Sequence, residues 1–468
     1  MSKSLFNEFD GVSAKAWKQK IQLDLKGADY NKTLIWNSPE GIDVKPFCHA
    51  DDFENLPETS DTEVTSWKIC QTIFVSDSES ANHKALDVLN RGANSIKFVI
   101  PSKDVSIETL LKDINLISTS IHFEILFLSE EFIEKIMTIS SKARIYIHTD
   151  IIGNLAKTGN WYYNLNKDHE ILNSVIASTT KQSTSLISVD VSLYQNAGAN
   201  MVQQLAYAMA HANEYLNHIN NNASLRVIFE ENSIEKFLTF NVSIGTNYFF
   251  EIAKLRALRI LWKTLASEYN FNSECHIIAT PTKRNKTIYD YNTNMLRTTT
   301  ECMSAILGGA NTICNLPYDA IYHKDNEFGE RISRNQLLVL KHESYFDKVN
   351  NPADGTYYVE NLTDQLAEKA LVLFKDIEAN GGFLKQLKEG IIQRKIKESA
   401  AKEQELFNNC DDILLGTNKH PNPNDIMKHE LELYPFVKQK KRKTLIEPII
   451  AKRLAETLEQ NRLKTEKI

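Results

Sequence analysis

From Trp67 onward, short runs of β-branched and apolar residues take turns with longer stretches in which apolar residues recur every three or four positions. The short runs are 72–75, 96–100, 123–127, 144–148, 186–192, 237–242, 276–280 and 312–316, and each predicts a strand. The longer stretches predict helices. In one, Val202, Leu205, Met209, Ala212, Leu216 and Ile219 fall along one stripe; another carries FFEIAKLRALRILW (249–262). Eight strand–helix units in about 270 residues predict an α/β fold, a (β/α)8 TIM barrel. A doubly wound sheet is the alternative. It calls for a glycine-rich turn after the first strand, and FVSDSESANHK has none.

The barrel pattern has an N-terminal arm and a C-terminal helical extension, giving three regions: 1–66, 67–350 and 351–468. In the arm an amphipathic piece, 14–25, ends at Lys26-Gly27. Its apolar anchors Trp17, Trp36 and Phe47 have no core of their own, so the arm is expected to lie on another surface as a subunit contact. Beyond Pro352 the pattern predicts a strand or turn, a long helix closed by Gly381-Gly382, a second long helix from 383, a loop at 420–425 and a last helix over 447–468.

Composition narrows the function classes. The 54 basic against 60 acidic residues leave a net charge of −6, which gives no electrostatic reason to bind nucleic acid or an acidic membrane surface. A 42% hydrophobic, 24% charged chain of 468 residues is ordinary for a globular protein and long enough to need no disulfide or metal staple. No apolar run approaches the roughly 18 residues of a membrane span, and the start has no signal-peptide pattern, so a cytoplasmic protein is expected. Cys48, Cys70, Cys275, Cys302, Cys314 and Cys410 include no CxxC pair and are expected as reduced, mostly buried thiols.

The chemistry-bearing motifs are few. There is no HExxH, P-loop or GxSxG. His211 and His218 stand seven apart, a poor ligand spacing, and are expected on the surface. Gly308-Gly309 is expected to end a helix rather than cradle an anion. The basic run KQKKRK (438–443) is expected as a solvated linker. These residues alone point no further than a soluble barrel.

LRTTTECMSAILGGANTI (296–313) and ERISRNQLLVLKHESYFDKVNNPADGTYYVENLT (330–363) resemble the methylmalonyl-CoA mutase family. The family's Arg-Ile-x-Arg-Asn, acidic residue and Asp-Pro-x-x-Gly-Ser-Tyr-Tyr-x-Glu are matched by Arg331, Ile332, Arg334, Asn335, Glu343, Pro352, Gly355, Tyr357, Tyr358 and Glu360. Asn351 stands for the aspartate and Thr356 for the serine. QNAGANMVQQLAYAMAHANEYL (195–216), IEANGGF (377–383) and LLGTNKHPN (414–422) fit as well, and the arm resembles the small-subunit branch. The resemblance implies an isomerase that interconverts methylmalonyl-CoA and succinyl-CoA with adenosylcobalamin, as in propionate metabolism. The cofactor supplies the radical and the protein positions it.

Where catalytic members carry a substrate-contacting tyrosine and histidine, this chain has Ser192 and Leu193 in ISVDVSLYQNAGA. Where they carry His-Cys-Gln-Thr-Ser-Gly it has IATPTK (278–283), and Phe237 stands at the place of an arginine. No Asp-x-His-x-x-Gly, the family's cobalt-ligand motif, occurs. The sequence's last residue, Ile468, falls about where the resemblance puts the linker to a cobalamin domain. The expectation is a noncatalytic small subunit of a heterodimeric mutase. It has no catalytic, cofactor-binding or metal residues of its own, and its partner is a catalytic large subunit that holds adenosylcobalamin. The alternative is the substrate barrel of a split mutase with cobalamin on a separate subunit. Mutase-derived barrels with another activity, and an unrelated binding protein, are the remaining readings. FEILFL (123–128) has bulky groups at both parities, so the barrel axis is expected to be packed shut, with Leu193 joining that packing.

Overall fold

A computed structural model of the chain describes residues 8, 10–58, 60, 64–139, 144–178, 184–231, 238–271, 274–438 and 442–466. Eight strands form its centre: β1 (Lys68–Phe74), β2 (Ser95–Ile100), β3 (Ser120–Ile125), β4 (Arg144–Thr149), β5 (Thr184–Asp190), β6 (Leu238–Ile244), β7 (His276–Pro281) and β8 (Thr312–Cys314). They pair in parallel, each with its neighbours in sequence, and β8 closes on β1 through Thr312–Lys68 to Cys314–Cys70. The eight predicted runs all fall on these strands. The run at 123–127 begins three residues too late, and the run at 186–192 extends into a short helix, Ser192–Asn196.

Helices cover the barrel because each presents an apolar stripe to the outward-facing strand residues. Met201–Asn220 starts at Asn200, whose side chain accepts from the Gln203 amide while Gln203 reaches back to the Asn200 amide. On Tyr248–Glu268, Trp262 sets its edge against Phe240 of β6, with ring centres 5.7 Å apart. Burial of such a side chain contributes about 1.5–3 kcal/mol.

The helix Tyr357–Ala379 packs on both of these helices. It starts at Tyr357, where a strand or turn is predicted, because Glu360 in its first turn anchors it. Glu360 accepts from Arg256 Nη2 at 2.9 and 2.8 Å and from the Gly355 amide at 2.9 Å, in a buried setting. The predicted helix from 383 is two, Phe383–Lys388 and Ile391–Asn408, broken at Gly390, whose φ of +73° favours glycine. The last helix is only Glu456–Thr465; residues 445–455 before it are bends, turns and irregular backbone. Part of the basic run, residues 439–441, lies outside the described residues.

The arm contains the helices Ala14–Asp24 and Tyr30–Leu34 and a two-residue antiparallel ladder, Trp36–Asn37 with Asp43–Val44. None of the residues of Ala14–Asp24 is buried. Trp17 stacks on Phe47 at 4.3 Å yet stays 44% exposed, and Trp36 is 49% exposed. The arm's far end is pinned by the 350–354 turn: Asp354 accepts from the Ser60 amide at 2.6 Å and Asn350 from the Thr65 amide at 3.0 Å. Four of the six cysteines are buried, Cys48 is half-buried, Cys410 is exposed, and none of the six is in a disulfide. Among the described residues no helix is long and apolar enough to cross a membrane.

Candidate functional site

In TIM barrels the chemistry sits at the C-terminal ends of the strands, and in this chain the barrel interior has an unusual lining. Successive strand residues face opposite sides. On β3, Ile121, Phe123 and Ile125 join the apolar core under the helices, and Phe123 stacks on Phe98 of β2 at 6.0 Å. Ser120, His122 and Glu124 therefore turn to the axis. The same alternation turns Ser95 and Lys97 inward from β2, Tyr146 and His148 from β4, and Thr239, Asn241 and Ser243 from β6. This corrects the expectation drawn from FEILFL: on the strand, Phe123 and Ile125 face out, and the residue between them that turns to the axis is the charged Glu124.

Four rings fill the middle of the axis. His122 stacks on Tyr146 at 4.5 Å, and His148 lies 5.3 Å from His122. From β7, His276 comes within 4.0 Å of Tyr146 and 5.4 Å of His122, ring centre to ring centre. Strands β3 and β7 are four apart in a ring of eight, so they face each other across the barrel. Contact between their side chains passes through the axis and occupies it at that level. His122 Nδ1 and His148 Nε2 are 3.1 Å apart, and His276 Nε2 is 3.1 Å from Thr312 Oγ1. Burial first, then His148 and Lys97, hold His122 well below its ordinary pKa; burial, then Lys97 and His276, do the same to His148.

Nearer the C-terminal mouth, Lys97 Nζ meets Glu124 Oε2 at 2.7 Å. Burial disfavours the ammonium, but the Glu124 charge outweighs it and holds Lys97 above its ordinary value; Lys97 in turn holds Glu124 below its own. Asp190, at the end of β5, is pushed up by burial. Such a mouth offers the paired charges of Lys97 and Glu124.

The positions singled out in the sequence follow directly. Ser192 donates to the Asp190 carboxylate. Leu193 is buried in the main apolar core, whereas the rings that cross the axis come from β3, β4 and β7. The rest of this short helix is a structural knot. Asn196 donates to Ser192 O at 2.8 Å and Ser243 Oγ at 3.0 Å, and accepts from Thr282 Oγ1 at 2.9 Å and the Lys283 amide at 3.0 Å.

His211 is not on the surface, as its spacing suggested, but fully buried. Its Nε2 donates to Asp150 Oδ1 at 2.9 Å and its Nδ1 accepts from Tyr194 OH at 2.8 Å. Asp150 also accepts from the Gly153 and Asp190 amides and from Tyr215 OH. A cobalt ligand needs a histidine with a ring nitrogen to spare. His211, backed by a carboxylate as metal ligands often are, has both engaged, so it does not fit that role. Among the described residues no group of three or more metal-ligating side chains is placed to hold an ion. Phe237 lies outside the described residues.

An irregular strap, Leu445–Leu454, spans this end of the barrel. The Leu445 and Ile446 amides donate to Gly159 O, Ile449 to Ala156 O, Lys452 to Asn196 O and Leu454 to Arg284 O, at 2.8–3.2 Å. It thus ties together the segments that follow β4, β5 and β7. The sequence reading missed the strap and the four axial rings. The rings had a signal, a polar residue at every second place in SIHFEI and RIYIHT. The strap's sequence, read as helix, had none.

A family model described as methylmalonyl-CoA mutase matches residues 105–465. The methylmalonyl-CoA mutase small subunit of Porphyromonas gingivalis is 33% identical over 99% of this chain and 78% of its own length. A methylmalonyl-CoA mutase of Cereibacter sphaeroides is 29% identical over 86% of this chain and 64% of its own length. A probable methylmalonyl-CoA mutase large subunit of Mycobacterium bovis is 30% identical over 61% of this chain and 38% of its own length. The chain therefore spans less than two thirds of the Cereibacter and Mycobacterium relatives.

Proposed function

This chain belongs to the methylmalonyl-CoA mutase family, and we propose that it is a noncatalytic small subunit, paired as a heterodimer with a catalytic large subunit. The large subunit holds adenosylcobalamin and interconverts methylmalonyl-CoA and succinyl-CoA, as propionate metabolism in the cytoplasm requires. The observation that carries the proposal is the meeting of His122 and Tyr146 with His276 across the axis. In catalytic members, the family resemblance implies, the pantetheine arm of the acyl-CoA threads the barrel axis and needs that space.

Three further features support it. Ser192 and Leu193 stand where the resemblance puts a substrate-contacting pair, and both serve the scaffold here. The Leu445–Leu454 strap covers loops from which barrel enzymes build active sites. The arm leaves Trp17 and Trp36 about half exposed, which suits a surface that a partner covers. Arg256, Glu360 and Asp354, by contrast, are scaffold residues, with Arg256 3.3 Å from Asp354, so the family's sequence signature is kept where it packs.

Co-expression with a tagged full-length mutase chain from the same genome tests the proposal. A one-to-one complex with turnover that depends on the large chain is expected. Turnover by this chain with a cobalamin-binding protein alone would favour a split mutase instead.

A further inference from the structure

Away from the axis, the helix Leu165–Ser178 and the helix Met201–Asn220 bring two half-buried histidines together on the barrel's outer layer. The rings of His169 and His218 are 4.6 Å apart, centre to centre, and inclined at 58°. Each is oriented by a carbonyl oxygen. His169 Nδ1 is 2.7 Å from Leu165 O, and His218 Nε2 is 2.7 Å from Asn173 Oδ1. A carbonyl only accepts, so these nitrogens carry the protons. The lone pairs are then on His169 Nε2 and His218 Nδ1, on adjoining rings. Donation of the second ring N–H to a carbonyl is how proteins fix the tautomer of a metal-ligating histidine.

The ring spacing agrees. With a metal–nitrogen bond of about 2.0–2.1 Å, two histidines sharing one ion hold their ring centres about 4.5–5.3 Å apart, the lower end for a right-angled pair. We propose that His169 and His218 form a two-histidine site for a divalent transition-metal ion such as Zn2+ or Ni2+, with water in the remaining positions. Bound there, the ion cross-links the helices that follow β4 and β5.

Calorimetric titration of the full chain with zinc chloride, and separately with nickel chloride, tests this in a non-chelating buffer. One ion per chain in the low micromolar range is expected. His169→Gln and His218→Gln should each weaken binding by at least about tenfold, while His83→Gln, at an exposed histidine of Ser78–Asn90, leaves it unchanged. Metal-free melting curves identify a variant that has lost its fold. If His218→Gln has lost its fold, His169→Gln carries the test, because the hydrogen bond of His169 is to Leu165 O within its own helix. No saturable binding, or binding that His169→Gln leaves intact or His83→Gln abolishes, overturns the proposal.

Discussion

His122 on β3 and His276 on β7 approach to 5.4 Å between ring centres, across the full width of the barrel. His148 joins them by its 3.1 Å contact with His122. A barrel of this family that threads a substrate has no room for such a cluster, and a barrel that only has to fold can close on it.

The cluster makes stability depend on pH. His122 and His148 are held below their ordinary pKa, so the unfolded chain takes up protons before the folded one does. Their stabilisation is complete above about pH 6.5 and is lost as pH falls below that value, by about 1.4 kcal/mol per pH unit for each group. Urea unfolding at about pH 7.5 and about pH 5.5 measures it. His148→Asn should flatten the difference by roughly one group's share; an unchanged slope would show that these rings accept protons in the fold.

How much of this was legible in the sequence differs by level. The eight strands were, because apolar runs and helical stripes alternate from Trp67 to Leu316. Which face of β3 turns inward was left open, because FEILFL has bulky groups at both parities. Starting that strand at Phe123 drops Ser120 and His122, and with them the alternation that separates Phe123, facing out, from Glu124, facing in. Ser192 and Leu193 were visible only through the family resemblance. The fate of His211 was not visible at all, because its partners Asp150 and Tyr194 come from other elements. The strap from Leu445 looks helical by composition, and tertiary hydrogen bonds to Gly159, Ala156, Asn196 and Arg284 override that preference.

Glu360 joins the C-terminal region to the barrel. Removing it by Glu360→Ala leaves the buried Arg256 with only the 3.3 Å contact to Asp354 among these carboxylates. Loss of one partner of a buried pair costs about 3–5 kcal/mol. A fall of that size in urea-unfolding free energy is expected, and a change below about 1 kcal/mol would mean that the pair is well solvated.

The arm should matter for association rather than for folding. Stable hetero-complexes bury more than roughly 2,000 Å², and Trp17 and Trp36 are half exposed on an arm whose first helix buries nothing. Deletion of residues 1–45 is expected to weaken binding to the large chain in sedimentation experiments. Equal affinity would place the interface elsewhere.

Restoring the lost pair should not restore chemistry. The double variant Ser192→Tyr, Leu193→His leaves His122, Tyr146, His148 and His276 in the axis. No methylmalonyl-CoA turnover is expected from it when adenosylcobalamin is added. Measurable turnover would mean that those two positions alone had silenced the barrel.

The central claim is that the axis is closed to substrate, and titration of the isolated chain with methylmalonyl-CoA in a calorimeter tests it most directly. With His122 and Tyr146 meeting His276 inside the barrel, no saturable binding is predicted. One-to-one saturation would contradict the account, because the acyl-CoA would then have a place in this chain that the ring cluster denies it.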